Sequence, residues 1–193
     1  MAARGPYSKG VAKRAEILDA ALDIVERSGY TNATVKELAD AVGLSQNGLL
    51  HYFGSKAALF TEIIRHNDEV GLAAMDRGDV PIGTLREGLV AMTRSNLDRD
   101  GFAELNHRLA AEAIDPGHES HAYIALRQAT QVRLVAQSFR ELEADGRLRP
   151  GADPEKLALL VWGLIDGLIA RRLLDPGLDV PGLIEHFFDL VTV

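Results

Sequence analysis

Gln46 and Asn47 lie side by side at the start of a short segment that runs to Phe53 and stops at Gly54. Each side-chain amide offers a donor and an acceptor, the combination that grips the edge of adenine with two hydrogen bonds. Gly48 follows and lets the backbone come close to another surface, at some expense in helix propensity. On an ordinary helix such residues would simply be hydrated. Their setting gives them more. Ser45 can cap a helix, and Gly43-Leu44 separates that helix from another short one beginning at Thr34. Two short helices joined by a glycine-containing turn match a helix-turn-helix, whose second helix enters the major groove with its first residues toward the base edges. Gln46, Asn47 and Gly48 are therefore the candidate base readers.

The other chemistry-bearing residues form no catalytic signature. The chain has no Gly-x-Ser-x-Gly elbow, phosphate loop, dinucleotide fingerprint or His-Glu-x-x-His. A helical enzyme is thus the weaker alternative, and no catalytic residue or cofactor is assigned. There is no cysteine, which excludes disulfides and thiolate metal sites. His118 and His121 stand three apart and can face one ion, yet the sequence fixes no third ligand, so no metal is assigned. Surface or pocket-rim histidines are the plainer reading. Arg108 and Glu112 have the i, i+4 spacing of a solvated helix pair, with His107 beside them.

The elements that must position the readers are helical throughout. Val11, Ala15, Leu18, Leu22 and Val25 recur on one helix face, widened by Ile17, Ala21 and Ile24, and Ser28-Gly29 ends that segment. Thr34-Val35-Lys36-Glu37 fits a reciprocal capping box, with Leu38, Ala39 and Val42 inward and Gly43 as the stop. Ser55 caps a fourth helix holding Leu59, Phe60 and Ile63. After a break at Arg77-Gly78-Asp79-Val80-Pro81, further helices are expected near 83–98, 102–114, 119–145, 154–174 and 181–191. Asp100-Gly101, Asp115-Pro116-Gly117, the stretch from Gly146 to Pro154 and Asp175-Pro176-Gly177 separate them. Asp153-Pro154 reads as an N-cap followed by proline at the first helical position. The expected fold is all-α, with three short helices in front and longer ones behind.

Charge is uneven. The net charge is −7 over 193 residues. Residues 1–56 carry seven basic and six acidic side chains, which leaves +1 there and −8 for the rest. Four bases and no acid occupy the first fourteen residues, among them Arg4, so this end can meet phosphates or be a solvated tail. No signal-peptide pattern and no membrane-length apolar run is present, and a soluble, cytoplasmic protein is expected, at the nucleoid when on DNA.

The stretch KRAEILDAALDIVERSGYTNATVKELADAVGLSQNGLLHYFGSKAALF resembles the N-terminal domain of the TetR family. Ile17, Ala20-Ala21, Gly29-Tyr30, Thr34-Val35, Leu38-Ala39, Val42-Gly43, Ser45, His51-Tyr52-Phe53, Ser55-Lys56 and Leu59 carry the likeness in type and spacing. The resemblance implies phosphate contacts by Thr34, His51, Tyr52 and Lys56. Leu50 departs from it, since members usually place tyrosine before the histidine; Leu50 meets a thymine methyl or packs in the core. Tyr30 is expected to pack under the turn. The implied organisation is a DNA-binding domain over 1–56 and an all-helical effector-binding and dimerisation domain over 57–193. The implied function is a ligand-released repressor that binds palindromic double-stranded DNA as a homodimer through its last two helices; the alternative is a DNA-binding protein without a small-molecule sensor. Gly163, Gly167, Leu183 and Phe187 are the candidate interface residues. A pocket for a small apolar or amphipathic effector draws on Met92, Asn96, His107, Phe139, Trp162 and Asp166. Asp166, set in an apolar stretch, needs a ligand or an arginine as partner if buried.

Overall fold

The computed structural model describes residues 6–76 and 84–193. Arg4, the break at 77–81 and the side chains of Lys9 and Val11 lie outside the described residues. In chain order the helices are α1 (Pro6–Asn32), α2 (Val35–Ala41), α3 (Gln46–Phe53), α4 (Lys56–Asp76), α5 (Leu85–Leu97), α6 (Asp100–Glu112), α7 (His121–Ala144), α8 (Pro154–Arg172) and α9 (Val180–Val191). The fold is all-α. Among the described residues the β structure is an isolated bridge between Leu148 and Thr192. None of the helices searched is long and apolar enough to cross a membrane.

Two compact units emerge from the packing. The first gathers α1 to α4 together with α6. The front is not three short helices: α1 is 27 residues long and kinks at Gly29, whose φ of 74° and ψ of 163° suit only glycine well. One further turn, Tyr30 to Asn32, follows the kink. Ile17, Val25, Leu38, Leu49, Leu59, Phe60, Ile63, Phe102, Leu105 and Leu109 are all buried in this unit. Packing therefore draws its boundary elsewhere than residue 56, because the apolar faces of α4 and α6 are buried with the front helices. Gly101 is not the expected breaker. It lies in the first turn of α6, buried, where a Cβ would fall on the Val25 carbonyl oxygen and within 2.8 Å of that of Glu26. The absent side chain is what lets α6 approach the backbone of α1.

The second unit holds α5 and α7 to α9. Its core joins Leu89, Val90, Val135, Phe139, Val161, Ile165, Ile184 and Phe188, with Phe139 and Phe188 stacked at 5.9 Å. Fully burying one such side chain is worth about 1.5–3 kcal/mol. Local signals set the ends: Asp153 accepts from the amides of Glu155 and Lys156 ahead of Pro154, and Thr84 and Glu87 close a reciprocal capping box on α5. The Thr84 hydrogen bonds hold the Glu87 carboxyl below the usual carboxylate range. Across the unit, Arg86 of α5 pairs with Asp189 of α9 at 2.6 Å.

Candidate nucleic-acid interface

α2 and α3 are each fixed by a side-chain cap. Thr34 Oγ1 accepts from the Glu37 amide at 3.1 Å, and Ser45 Oγ from the Gly48 amide at 3.0 Å. The Thr34 box closes on one side only. Glu37 accepts from Ser28 Oγ at 3.4 Å instead of returning to Thr34, because the end of α1 supplies a hydroxyl within reach. Between the helices Gly43 adopts φ 68°, and the Leu44 amide bonds the Ala39 carbonyl at 2.9 Å. At Gly48 a Cβ would come within 3.1 Å of the capping Ser45 oxygen, so glycine keeps that cap uncrowded.

This scaffold sorts the candidates by side. Leu49 and Phe53 are buried, while Gln46, Asn47, His51 and Tyr52 are exposed along the same eight-residue helix. Thr34 and Lys56 are exposed as well, and Gly48 and Leu50 are half-buried. Leu50 is thus neither a core residue like Leu49 nor a freely projecting one.

Sequence reasoning missed Arg14. Its guanidinium donates to the Tyr52 carbonyl at 2.9 Å and to Glu62 at 2.8 Å, and lies 4.5 Å from the Phe53 ring centroid. A cation at the last carbonyls of α3 also suits the helix dipole. Arg14 is accordingly committed to these partners, and Lys13 bonds Glu16 at 2.8 Å. Only the i, i+3 pair was readable locally; the partners of Arg14 lie 38 and 48 residues away.

The start of α4 is equally built. Ser55 Oγ accepts from the Ala58 amide at 2.9 Å and donates to Glu119. Lys56 Nζ lies 5.2 Å from the Tyr30 ring centroid and 5.3 Å from that of Phe60. Tyr30 packs edge-on against Phe60 at 4.8 Å and donates its hydroxyl to Glu112 at 3.1 and 3.2 Å. Burial, then the Glu112 charge and hydrogen bond, push the Tyr30 phenol up to about 12. The expected Arg108–Glu112 pair gives way here: Arg108 bonds Glu104 at 2.8 Å, one turn back, and Glu112 serves Tyr30. His118 lies 3.7 Å from Glu112, whereas His121 bonds the Ala113 carbonyl at 2.8 Å, so the two imidazoles have different partners.

The family model for bacterial regulatory proteins of the tetR family matches residues 17–63, which takes in α2 and α3 whole and parts of α1 and α4. The HTH-type transcriptional repressor Rv1474c of Mycobacterium tuberculosis is 32% identical over 184 residues, covering 83% of this chain and 94% of the relative. The chain belongs to the TetR family. The HTH-type transcriptional repressor AcnR of Corynebacterium efficiens is 31% identical over 194 residues, covering 95% and 92% of the two chains. A TetR-family regulator from Agrobacterium tumefaciens shares the fold at a TM-score of 0.72 and 19% identity, covering 95% of this chain and 100% of that one. A transcriptional regulator from Saccharomonospora viridis, solved in complex with choline, does so at 0.70 and 22%, covering 95% and 98%. As a TetR-family member the chain is a DNA-binding transcriptional regulator with its helix-turn-helix at the front.

The rear candidates of this TetR-family chain differ in their settings. Met92 and Trp162 both pack against the second unit's core, Asn96 is half-buried, and Phe139 is wholly taken up in the core. His107 is exposed in the first unit, and Asp166 is exposed, so its burial does not arise. A cleft of about 620 Å³ between α5 and α9, lined by Arg86, Arg94, Arg99 and Glu185 among others, contains none of the six. The indole nitrogen of Trp162 is buried and has no hydrogen-bond partner among the described residues. On α8 and α9, Gly163, Gly167 and Leu183 are exposed, Phe187 is half-buried, and Leu159 and Leu160 are 61% and 60% exposed.

Proposed function

We propose that this chain is a repressor that binds palindromic operator DNA as a homodimer and leaves it when a small apolar or amphipathic ligand occupies the second unit. The observation that carries the DNA half is the two-sided α3. Its apolar side is buried by Leu49 and Phe53, its caps are closed, and Gln46 and Asn47 stand exposed at its start. In this reading Gln46, Asn47 and Gly48 face bases, Leu50 lies beside them, and Thr34, His51, Tyr52 and Lys56 contact phosphate. DNA contacts end near Lys56, although α4 and α6 share the head's core.

The dimer half is supported by the apolar surface of α8 and α9, where Leu159, Leu160, Leu183 and Leu190 are 40–61% exposed and Gly163 and Gly167 are exposed as well. Apolar surface of this kind marks an interaction site when it is contiguous. A two-fold dimer suits half-sites one helical turn apart. The ligand half is supported by the orphaned indole of Trp162, since a buried N–H without a partner costs about 1–3 kcal/mol. The same fold holds choline in the Saccharomonospora viridis regulator. A ligand need only favour a spacing of the two heads that does not fit the operator. The deciding experiment is a gel shift on the DNA upstream of the chain's own reading frame, with random DNA as competitor. Sequence-selective retention is expected; uniform retention at moderate salt refutes the reading.

A further inference from the structure

The ends of α1, α4 and α6 meet around Lys56, and the contacts there go beyond packing. The ammonium faces two rings, Tyr30 at 5.2 Å and Phe60 at 5.3 Å, that are themselves locked edge to face at 4.8 Å. Phe60 is fully buried, so its ring cannot shift aside. The Tyr30 ring is pinned at its far end, where its hydroxyl donates to both oxygens of Glu112 on α6. A lysine side chain is long and flexible, and ordering it on a phosphate loses rotamer entropy. Ring faces restrict that freedom beforehand through the attraction of their negative quadrupole for a cation. An ammonium has three N–H donors, and Lys56 is exposed, so donors remain for an anion on the open side. A phenol donating to a carboxylate gains electron density in its ring, which strengthens its hold on the cation.

We infer that Tyr30 and Glu112 are positioning residues that hold Lys56 ready for a DNA phosphate, and that α6 thereby sets the strength of a contact made from α4. The inference rests on the proposal that Lys56 is a phosphate anchor. It assigns a task to Tyr30, which touches no DNA in this reading, and to a carboxylate 56 positions away from Lys56 in the chain. It also accounts for an acidic side chain beside a phosphate site: Glu112 is spent on the phenol and acts through the ring.

The test is a double-mutant cycle on DNA affinity, using a duplex selected on the wild-type protein from a random library and read by fluorescence anisotropy over a series of KCl concentrations. Lys56→Ala should lower the slope of log K against log salt by about one. If neither slope nor affinity changes, the anchor reading fails and takes the inference with it. With the anchor confirmed, Tyr30→Leu should weaken binding roughly two- to fivefold, equally on all sequences, as an exposed cation–π contact implies. Tyr30→Phe and Glu112→Gln, which keep the ring and its packing, should fall between. In the Lys56→Ala background all three substitutions should have no further effect on affinity. A purely structural role would leave their penalties unchanged in that background, and that result, or no penalty from any of the three while Lys56 is present, overturns the inference. Glu112→Gln keeps a hydrogen-bond acceptor, so the cycle stands even if Tyr30→Leu unfolds.

Discussion

Helix α6 meets the backbone of α1 at Gly101, and replacing this glycine with alanine gives a prediction whose size follows from the geometry. The new Cβ would lie 2.8 Å from the Glu26 carbonyl oxygen and 3.0 Å from its carbon, and nearer still to the Val25 oxygen. Carbon–oxygen contact normally begins at about 3.3 Å. The Val25 oxygen, the nearest obstacle, sets the displacement: helix α6 must withdraw by more than about an ångström, and neither obstacle is a side chain that can swing away. A shift of this size falls at the upper end of the about 1–3 kcal/mol that overpacking costs. A gap of this width also forfeits about half of the dispersion well for the atoms that line it. Against this, alanine gains up to about 1 kcal/mol of helix propensity over glycine. The balance is a loss of about 2 kcal/mol, which for a chain of this length lowers Tm by roughly 4–8 °C. Thermal melts followed by far-ultraviolet circular dichroism measure it. A Gly101→Ala protein that melts at or above wild type would show that α6 does not rest on the backbone of α1, and the packing argument would be wrong.

Other outcomes follow from the interface and the rear unit. Gln46→Ala and Asn47→Ala should each relax base preference at one operator position, by about 1–3 kcal/mol on a binding-site selection, with the melting temperature unmoved because both residues are exposed. Leu49→Ala should cost about 2–5 kcal/mol of stability and Leu50→Ala clearly less, since only Leu49 is fully buried; equal losses in urea unfolding would place Leu50 in the core. Tyr30 has a folded value of about 12 against an ordinary value near 10. Its contribution to stability is therefore complete below about pH 10 and is lost as pH rises through about 12, so the urea midpoints of wild type and Tyr30→Phe should converge across that window. Trp162 is the single tryptophan, so its fluorescence reports on the second unit alone. Among apolar compounds matched in size, those with a hydrogen-bond acceptor should shift its emission and the melting temperature, and those without should not.

What could be read from the sequence was local. The caps at Thr34, Ser45, Ser55 and Asp153 and the stops at Gly43 and Gly54 depend on residues within one turn, and each is found where spacing puts it. The exposed start of α3 was legible for the same reason. What was not legible depends on partners far along the chain. Arg14 reads as one more basic residue until Tyr52 and Glu62 are seen beside it. Gly101 reads as a helix breaker, because the reason for a glycine there is the backbone of α1 some 75 positions earlier. Glu112 has a good i−4 partner in Arg108, yet a tyrosine from another helix claims it. Local pattern also misjudges boundaries between packed units, since α5 and α6 adjoin in sequence and belong to different ones.

The chain carries the same four-residue grammar twice, Thr34 to Glu37 and Thr84 to Glu87, and closes it once. At α5 the carboxylate returns to the threonine amide at 2.7 Å, and the helix start is sealed. At α2 Ser28 draws the carboxylate away, so the grammar that seals one helix start fastens the other to its neighbour: Glu37 ties α2 to the end of α1, just past which the chain kinks at Gly29.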